Sequence, residues 1–381
     1  MKPTAGFTTI TLLMTLERAV KLIKSGIERG LHVGAQLYVS RDGEPVADLA
    51  FGMAREGVAM TPDTIMLWMS SIKPITVVAV AQLWERGQIA LDDPVAKYIR
   101  AFGAKGKDRI TIRNVLTHTG GFRAAVGAWT ADPWDSIIAQ ICDAGIEPGW
   151  IVGETSGYHV ASGWYVLAEI VRRVSADGRP YSQYVREEVL EPLGMRDTWI
   201  GVPADRWREY GDRIAPMHFG SAVKPPGLYP YAPWSNSAEA VAIERPGGNG
   251  RGPIHDLGRF YEAMLAGGEG VVTPETIEAI SARHTIGRRD KTFGYSLDRG
   301  LGVVIDSKEY GLPAAWYGTR CSRRTWGHAG YLCSVGFVDP ENLLVLAAVF
   351  NGMTEDDPAL HDARMRETVD AVYADLGLGP S

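Results

Sequence analysis

The N-terminal part of the chain shows one helix pattern followed by two strand patterns, and this order constrains the fold. Apolar residues recur at helical spacing over residues 13–27 and predict an amphipathic helix. Two β-rich runs follow at 32–40 and 45–53, on either side of the hairpin signal Arg41-Asp42-Gly43. A terminal helix followed by antiparallel strands favours an α+β arrangement.

The C-terminal part of the chain again combines strands with a helix. Strands are predicted at 300–306, 325–338 and 343–351, and a final amphipathic helix at about 358–376. Between the two ends the chain is mostly helical, with helices predicted over 72–87, 112–117, 134–144, 162–174 and 181–190. We therefore predict an α+β fold in which an antiparallel sheet is flanked by helices and carries an inserted, mostly helical domain.

These patterns divide the chain into two predicted domains. Residues 1–95 and 246–381 would form a discontinuous sheet domain, and residues 96–245 the helical domain. Within the helical domain, segment 201–245 is rich in proline and aromatic residues. Prolines prevent long regular elements and the aromatic residues are unlike those of a linker, so we interpret this segment as a packed active-site loop.

Composition restricts the partners and the compartment. The 381 residues carry a net charge of -6 without a block of five like charges, so we expect neither nucleic acid nor a membrane as partner. The sequence offers no apolar run long enough for a membrane span or a secretory signal. Three cysteines (Cys142, Cys321 and Cys333) cannot form a disulfide framework, so we expect the cytoplasm. The oligomeric state is left open.

The motif that carries chemistry is Ser70-Ser71-Ile72-Lys73-Pro74. Proline is tolerated in the first helical turn, so Pro74 predicts that a helix begins near Ser70. Positions three apart share a helix face, which brings the Lys73 amine close to the Ser70 hydroxyl. An amine whose pKa is lowered by burial can remove the hydroxyl proton and make the serine a nucleophile.

Two further segments could complete a site around Ser70. Tyr158 precedes the predicted helix 162–174, and a phenol beside an ammonium group loses its proton more easily, so Tyr158 is a candidate base or proton shuttle. The segment His328-Ala329-Gly330-Tyr331 lies in a strongly apolar strand, and its small residues let a ligand approach the backbone. The N–H groups of Ser70 and Tyr331 could then hold a developing oxyanion.

In order and spacing, these motifs resemble those of the serine β-lactamase and penicillin-binding-protein superfamily, particularly its class C β-lactamase and family VIII carboxylesterase branch. Ser70-x-x-Lys73 matches the nucleophile motif, Tyr158 stands at the tyrosine of the second motif, and His328-Ala329-Gly330 stands at the Lys-Thr-Gly strand motif. The resemblance covers almost the whole chain. It implies a β-lactamase/transpeptidase-like fold and catalysis through an acyl-Ser70 intermediate.

Two departures from the family pattern bear on the substrate. Val160 stands where the second motif usually ends in asparagine, and His328 stands where a lysine normally binds the carboxylate of a β-lactam or peptide. Because a neutral imidazole binds such an anion weakly, the sequence favours neutral ester or amide substrates. We therefore expect a carboxylesterase-like serine hydrolase in which Lys73 and Tyr158 manage the Ser70 proton and His328 lines the pocket.

Three alternatives stay open on the sequence. The same residues could transfer the acyl group to an alcohol or amine, the chain could be a β-lactamase or a D-amino-acid peptidase or amidase, or it could be a non-catalytic ligand-binding homologue. The sequence contains no metal-ligand spacing or cofactor motif, so we expect no metal and no cofactor. The aromatic residues expected to line the pocket are Trp207, Tyr229, Trp234 and Trp326.

Overall fold

The computed structural model describes residues 16–175, 177–220, 233–354 and 357–379. The strands within these residues are β1 (Gly34–Arg41), β2 (Glu44–Arg55), β3 (Val58–Ala59), β4 (Met66–Met69), β5 (Trp199–Ile200), β6 (His218–Gly220), β7 (Gly250–Gly252), β8 (Thr285–Arg289), β9 (Ser296–Arg299), β10 (Val304–Ile305), β11 (Trp326–Gly330), β12 (Ser334–Asp339), β13 (Leu344–Phe350) and β14 (Gly352–Thr354).

The α-helices within the same residues are α1 (Glu17–Glu28), α2 (Lys73–Glu85), α3 (Ile112–Leu116), α4 (Trp134–Asp143), α5 (Ser162–Val174), α6 (Tyr181–Val185), α7 (Ala204–Tyr210), α8 (Pro233–Asn236), α9 (Ala238–Ala242), α10 (Ile254–Leu265), α11 (Pro274–Ser281) and α12 (Pro358–Asp375). None of these described helices has the length and apolarity that a membrane crossing requires.

A nine-stranded sheet joins the two ends of the chain, in the order β3-β2-β1-β13-β12-β11-β10-β9-β8. Its first hairpin forms where the sequence predicts it, with Asp42 and Gly43 as a two-residue turn between the paired residues Arg41 and Glu44. Both turn residues have positive φ, 54° and 79°, as the favoured hairpin turn requires. Since β1 also pairs antiparallel with β13, the sheet confirms the predicted α+β fold.

The C-terminal strands differ from the prediction in two respects. Residues 325–338 are not one strand but the hairpin β11–β12, because the chain reverses at 331–333, where Leu332 has a φ of 54°. Within 300–306 only β10 is a strand. The sequence pattern does not predict β8 and β9 at all, because these short strands carry arginine and aspartate rather than an apolar run. They form the edge of the sheet beside β10.

Helices cover both faces of this sheet. Helices α1 and α12 pack on one face, in a core that includes Ile23, Phe337 and Val369. Helix α10 packs on the other face, and Gly258 permits the close contact, since a Cβ atom there would lie 2.1 Å from a ring carbon of Tyr38 on β1. The core beneath α10 continues into the helical part of the molecule.

Helix α2 is the central helix of that second core. Its residues from Lys73 to Leu83 are all buried, so it is apolar all round rather than amphipathic. It packs against α5 and α6 in the helical part and against β11 of the sheet. The helix therefore places Lys73 where the sheet and the helical part meet.

Residues 96–245, which the sequence predicts as an inserted helical domain, contain helices α3–α9 and the short strands β5 and β6. The proline-rich segment 201–245 holds three of these helices, α7, α8 and α9, and its residues 221–232 lie outside the described residues. The division of the chain into two domains stays a prediction.

Asp256, near the start of α10, provides a test of the buried electrostatics. It is 7% exposed, accepts a hydrogen bond from Thr198 Oγ1 at 2.7 Å, and burial raises its pKa to about 6. Because the folded state holds this proton more tightly than the unfolded chain, the ionised carboxylate destabilises the fold above pH 6, and this penalty disappears as the pH falls below about 4.

We predict that Asp256→Asn raises the free energy of unfolding by about 2 kcal/mol at neutral pH, because the amide keeps an acceptor for Thr198 without the charge. Thermal unfolding of both proteins between pH 4 and pH 8 would measure this, and the difference should shrink towards the acid end. A variant that is equally stable or less stable at neutral pH would contradict the prediction.

Candidate active site

Ser70 lies at a sharp junction between a strand and a helix. Strand β4 ends at Met69, residues 70–72 form a single 3-10 turn, and α2 begins at Lys73, so Ser70 precedes the α-helix instead of opening it. Met69 has φ 49° and ψ -132°, a conformation that costs free energy for a residue with a side chain and that is found at functional sites. The strained turn leaves Ser70 half-buried rather than enclosed in the core.

Strand β11 approaches the backbone of this junction closely, which explains the glycine in its motif. A Cβ atom on Gly330 would lie 2.2 Å from the carbonyl oxygen of Trp68 and 3.0 Å from the Cβ atom of Met69. The next residue, Tyr331, therefore follows a strand end that is already in contact with the nucleophile turn. This placement is compatible with the expected pairing of the Ser70 and Tyr331 amides around an oxyanion.

Two buried hydroxyl groups fasten the same contact. Ser71 Oγ donates to the carbonyl oxygen of His328 at 3.1 Å and lies 2.9 Å from Ser334 Oγ. Ser334 Oγ in turn donates to the carbonyl oxygen of Trp68 at 2.6 Å. The hairpin β11–β12 is therefore hydrogen-bonded to the residues on both sides of Ser70. The sequence motifs do not specify either hydroxyl.

The Lys73 amine is completely buried and touches the nucleophile. Its Nζ atom lies 2.8 Å from Ser70 Oγ and 3.1 Å from the carbonyl oxygen of Val160, and it also bonds to the carbonyl oxygen of Gly247. Burial lowers the pKa of Lys73 well below its ordinary value. A neutral amine has two hydrogens, and the two carbonyl groups, which only accept, can take both. The nitrogen lone pair is then left for the Ser70 hydroxyl.

The surroundings of Lys73 do not restore its charge. Among the described residues no carboxylate forms an ion pair with its amine. The rings of Tyr158 and Trp164 each have their centre 5.1 Å from Nζ instead. Lys73 is therefore placed as a base for Ser70, as the spacing predicts.

Tyr158 is brought to the same point, but its acidity differs from the expectation. The phenol is 6% exposed, and its hydroxyl interacts with the Ser70 hydroxyl. Burial raises the pKa of Tyr158, and the hydrogen bond to Ser70 only partly opposes this. The expected lowering by Lys73 is absent, because burial also disfavours the charge on that amine. A neutral phenol can donate or relay a proton but is a poor base at neutral pH.

The loop between β8 and β9 holds the segment that carries Tyr158. The Lys291 N–H donates to the carbonyl oxygen of Ser156 at 2.9 Å, and Thr292 Oγ1 donates to the carbonyl oxygen of Tyr158 at 3.1 Å. The ring of Phe293 packs on the Tyr158 ring with 5.1 Å between centres. No local sequence pattern indicates these contacts, because they join segments more than a hundred residues apart.

His328 is buried beside Tyr158 in a defined tautomer. Its Nδ1 lies 2.7 Å from the carbonyl oxygen of Ala329, and since a carbonyl only accepts, Nδ1 carries the proton. Burial lowers the pKa of His328 well below its ordinary value. Its ring centre is 5.8 Å from that of Tyr158 and 5.7 Å from that of Trp316. The strand motif therefore presents a neutral imidazole here instead of a cation.

The predicted pocket-lining aromatic residues are not gathered around Ser70. Trp326 is 3% exposed and packs edge-on against Tyr261 of α10 with 5.8 Å between ring centres, so it is a core residue. Trp207 on α7 lines a cavity with Met53 and other residues that do not include the catalytic candidates. Tyr229 lies outside the described residues, as does the side chain of Trp234.

Two exposed apolar side chains stand near the catalytic groups. Val160, whose carbonyl binds Lys73, is 40% exposed, and Tyr331 is 52% exposed. The sequence predicts Tyr331 as an oxyanion and substrate-binding residue, and it marks Val160 only for the missing amide. Val160 contributes a carbonyl to Lys73 and Tyr331 follows Gly330 directly, so we call these two exposed side chains the apolar border of the site.

The described residues contain no group of three or more histidine, cysteine or acidic side chains that could hold a metal ion. The three cysteines are buried and unpaired with one another.

Gly330→Ala tests the close approach of β11. The added methyl group must displace the strand from Trp68, so we predict that the rate at which a fluorophosphonate labels Ser70 falls about 100-fold, the order of magnitude for a misplaced catalytic group. Gly127→Ala is the matched control, because a Cβ there meets no atom within 4 Å. Intact-mass spectrometry would measure the labelling rate. A rate in Gly330→Ala equal to that of the wild-type protein would contradict the prediction.

The neutral state of Lys73 predicts the pH dependence of the same labelling reaction. The rate should rise as Lys73 loses its proton and reach a plateau well below about pH 10, where an ordinary lysine would still be titrating. Lys73→Met should abolish labelling.

Lys107→Met provides the control, because Lys107 is also buried and bonded to backbone carbonyl oxygens, including that of Cys142 at 3.0 Å, but it lies away from Ser70. A labelling rate that still climbs at pH 10 would show that Lys73 is charged in the folded protein.

Comparison with known proteins is consistent with this geometry. The family model described as beta-lactamase matches residues 19–370. The esterase/beta-lactamase LipL of Mycobacterium tuberculosis is 29% identical over 341 residues, which cover 84% of this chain and 77% of LipL. Esterase EstB of Burkholderia gladioli is 29% identical over 335 residues, covering 79% of this chain and 82% of EstB.

Solved structures show the same fold over most of the chain. A penicillin-binding-protein homologue from Caulobacter crescentus has a TM-score of 0.77 at 29% identity, covering 95% of this chain and 97% of the homologue. The fold and the match over most of the chain confirm the resemblance stated from the motifs: the chain belongs to the beta-lactamase family.

Proposed function

We propose that the protein hydrolyses carboxylic esters of small molecules through an acyl-Ser70 intermediate. Its family makes the chain a serine hydrolase, and two of its relatives are esterases by name. The observation that carries the proposal is the contact between Ser70 Oγ and a Lys73 amine kept neutral by burial. A serine hydroxyl beside such a base is a nucleophile at neutral pH.

In the proposed reaction, Ser70 Oγ attacks the ester carbonyl carbon while its proton passes to Lys73 Nζ. The backbone N–H groups of Ser70 and Tyr331 stabilise the resulting oxyanion. When the tetrahedral intermediate collapses, the bond to the alcohol oxygen breaks, and the Tyr158 hydroxyl gives its proton to that oxygen and regains one from Lys73. Water then attacks the acyl carbonyl carbon, and one of its protons passes to Lys73 and Tyr158. When this second tetrahedral intermediate collapses, the bond to Ser70 Oγ breaks, that oxygen takes the proton back from the same two residues, and a carboxylic acid is released.

The neutral ring of His328 supports a neutral substrate. A carboxylate on the substrate would need a cation or several donors in a site this buried, and His328 offers Nε2 as an acceptor. Val160 likewise presents a methyl group at the mouth of the site and no amide. Both features support neutral esters over β-lactams and over peptides with a free carboxylate, and they leave neutral amides as slower substrates.

Acyl transfer is the second candidate, because it would use the same residues with an alcohol in place of water. The apolar border of Val160 and Tyr331 favours an alcohol over water near the acyl group. The net charge of -6 supports a small-molecule substrate rather than nucleic acid, and the three unpaired cysteines support the cytoplasm as its location.

The test is the pre-steady-state reaction with p-nitrophenyl acetate. We expect a burst of p-nitrophenolate equal to the enzyme concentration. The intact protein should gain the mass of one acetyl group, and a tryptic digest should place that group on the peptide that contains Ser70. Ser70→Ala should show neither. Ser136→Ala, an exposed serine on α4, should behave as wild type.

The absence of a burst and of an acetyl adduct with any short ester would refute the proposal in favour of a non-catalytic homologue. Adding butanol separates hydrolysis from transfer, since butyl acetate would form only in the second case. Fast turnover of a chromogenic cephalosporin would instead indicate a β-lactamase.

A further inference from the structure

A buried ion pair lies against Tyr158, and neither of its residues belongs to a catalytic sequence motif. Asp290 follows β8 directly and Arg299 is the last residue of β9. Arg299 Nη2 lies 2.6 Å from Asp290 Oδ2, and the side chains are 1% and 0% exposed. A charge pair this deeply buried is costly to desolvate, so its presence beside a reacting group requires an explanation.

Asp290 fixes the backbone that carries the phenol. Its Oδ1 accepts hydrogen bonds from the N–H groups of Tyr158 at 3.2 Å, Thr292 at 2.8 Å and Phe293 at 3.2 Å. Burial alone would raise the pKa of Asp290, but Arg299 and these N–H groups together hold it below its ordinary value. The carboxylate therefore remains charged, and one oxygen holds Tyr158 while the other holds Arg299.

Arg299 brings a positive charge to the phenol ring. Its guanidinium carbon is 5.7 Å from the centre of the Tyr158 ring. Its Nε atom is buried and has no hydrogen-bond partner among the described residues, so the ion pair with Asp290 does not occupy all of its donors. Arg299 favours the deprotonated form of Tyr158 and Asp290 opposes it, with the arginine effect the larger.

The proton transfer in the proposed mechanism needs such a charge. When Tyr158 gives its proton to the leaving oxygen, negative charge develops on a phenol oxygen that burial has removed from water, which is unfavourable. A nearby cation that is already in place lowers this cost without reorganisation. An alkoxide leaves only with a proton, whereas p-nitrophenolate leaves without one, so the two ester classes depend on this step differently.

We propose that Arg299, held by Asp290, is a positioning residue that stabilises the charge on Tyr158 during leaving-group protonation and so extends the substrate range to esters of simple alcohols. This inference rests on the proposed ester hydrolysis.

The experiment compares ethyl butyrate with p-nitrophenyl butyrate. In Arg299→Gln we expect kcat/KM for the ethyl ester to fall at least about tenfold more than kcat/KM for the p-nitrophenyl ester, within the range that proton transfer contributes. Arg299→Lys keeps a cation and should retain most of the wild-type ratio. Across a series of butyrates, the dependence of log kcat/KM on leaving-group basicity should become steeper in Arg299→Gln.

Arg283→Gln is the matched control. Arg283 lies two residues before β8 and forms an ion pair with Asp298 of β9, with 2.6 Å between Nε and Oδ2. Asp298 is buried, and Arg283 has no contact with the Tyr158 ring among the described residues. Its loss should lower thermal stability and leave the ratio of the two esters unchanged. If Arg299→Gln does not fold, Asp290→Asn/Arg299→Gln removes both charges together and should shift the ratio in the same direction.

The outcomes separate the two proposals. Equal losses on both esters in the Arg299 variants, or a wild-type enzyme that cleaves only the p-nitrophenyl ester, would overturn the role of Arg299 and leave the proposed function intact. If wild type cleaves neither ester, the proposed function fails and this inference fails with it.

Discussion

The chemistry depends on one physical constraint, the burial of the Lys73 amine. A lysine in water is charged and cannot accept a proton from serine at neutral pH. Surrounded by core, with two backbone carbonyl groups and two aromatic rings as neighbours, the amine keeps its lone pair. The same burial keeps Tyr158 protonated, so one cause prepares both a base and an acid.

The fold supplies this environment by joining distant parts of the chain. A helix that is apolar all round carries Lys73 into the core, and the hairpin β11–β12 is hydrogen-bonded through Ser71 and Ser334 to the turn that carries Ser70. The loop between β8 and β9 holds Tyr158 from the opposite side. Each reacting group is therefore attached to a different structural element, and their positions relative to one another are set by packing between the elements.

Local sequence patterns predicted the fold class and the proximity of Ser70 and Lys73. Both predictions were possible because helical spacing and the helix start at Pro74 are set by residues a few positions apart. Local patterns gave wrong predictions where burial by distant parts of the chain sets a property of a residue. The nearby Lys73 suggested that the pKa of Tyr158 is lowered. Burial, which the sequence does not reveal, raises this pKa instead. Trp326 was predicted to line the pocket, but it packs against Tyr261 in the core. Arg299 belongs to no sequence motif, and its contact with the Tyr158 ring joins segments more than a hundred residues apart.

The bonds of the Lys73 amine have a consequence for the biogenesis of the protein. They come from residues 70, 160 and 247, which are far apart along the chain. Until the last of these is synthesised and packed, water solvates the lysine and the serine stays inert. A partly synthesised chain on the ribosome, or a damaged chain awaiting proteolysis, could thus contain Ser70, Lys73 and Tyr158 and still not react with the esters around it.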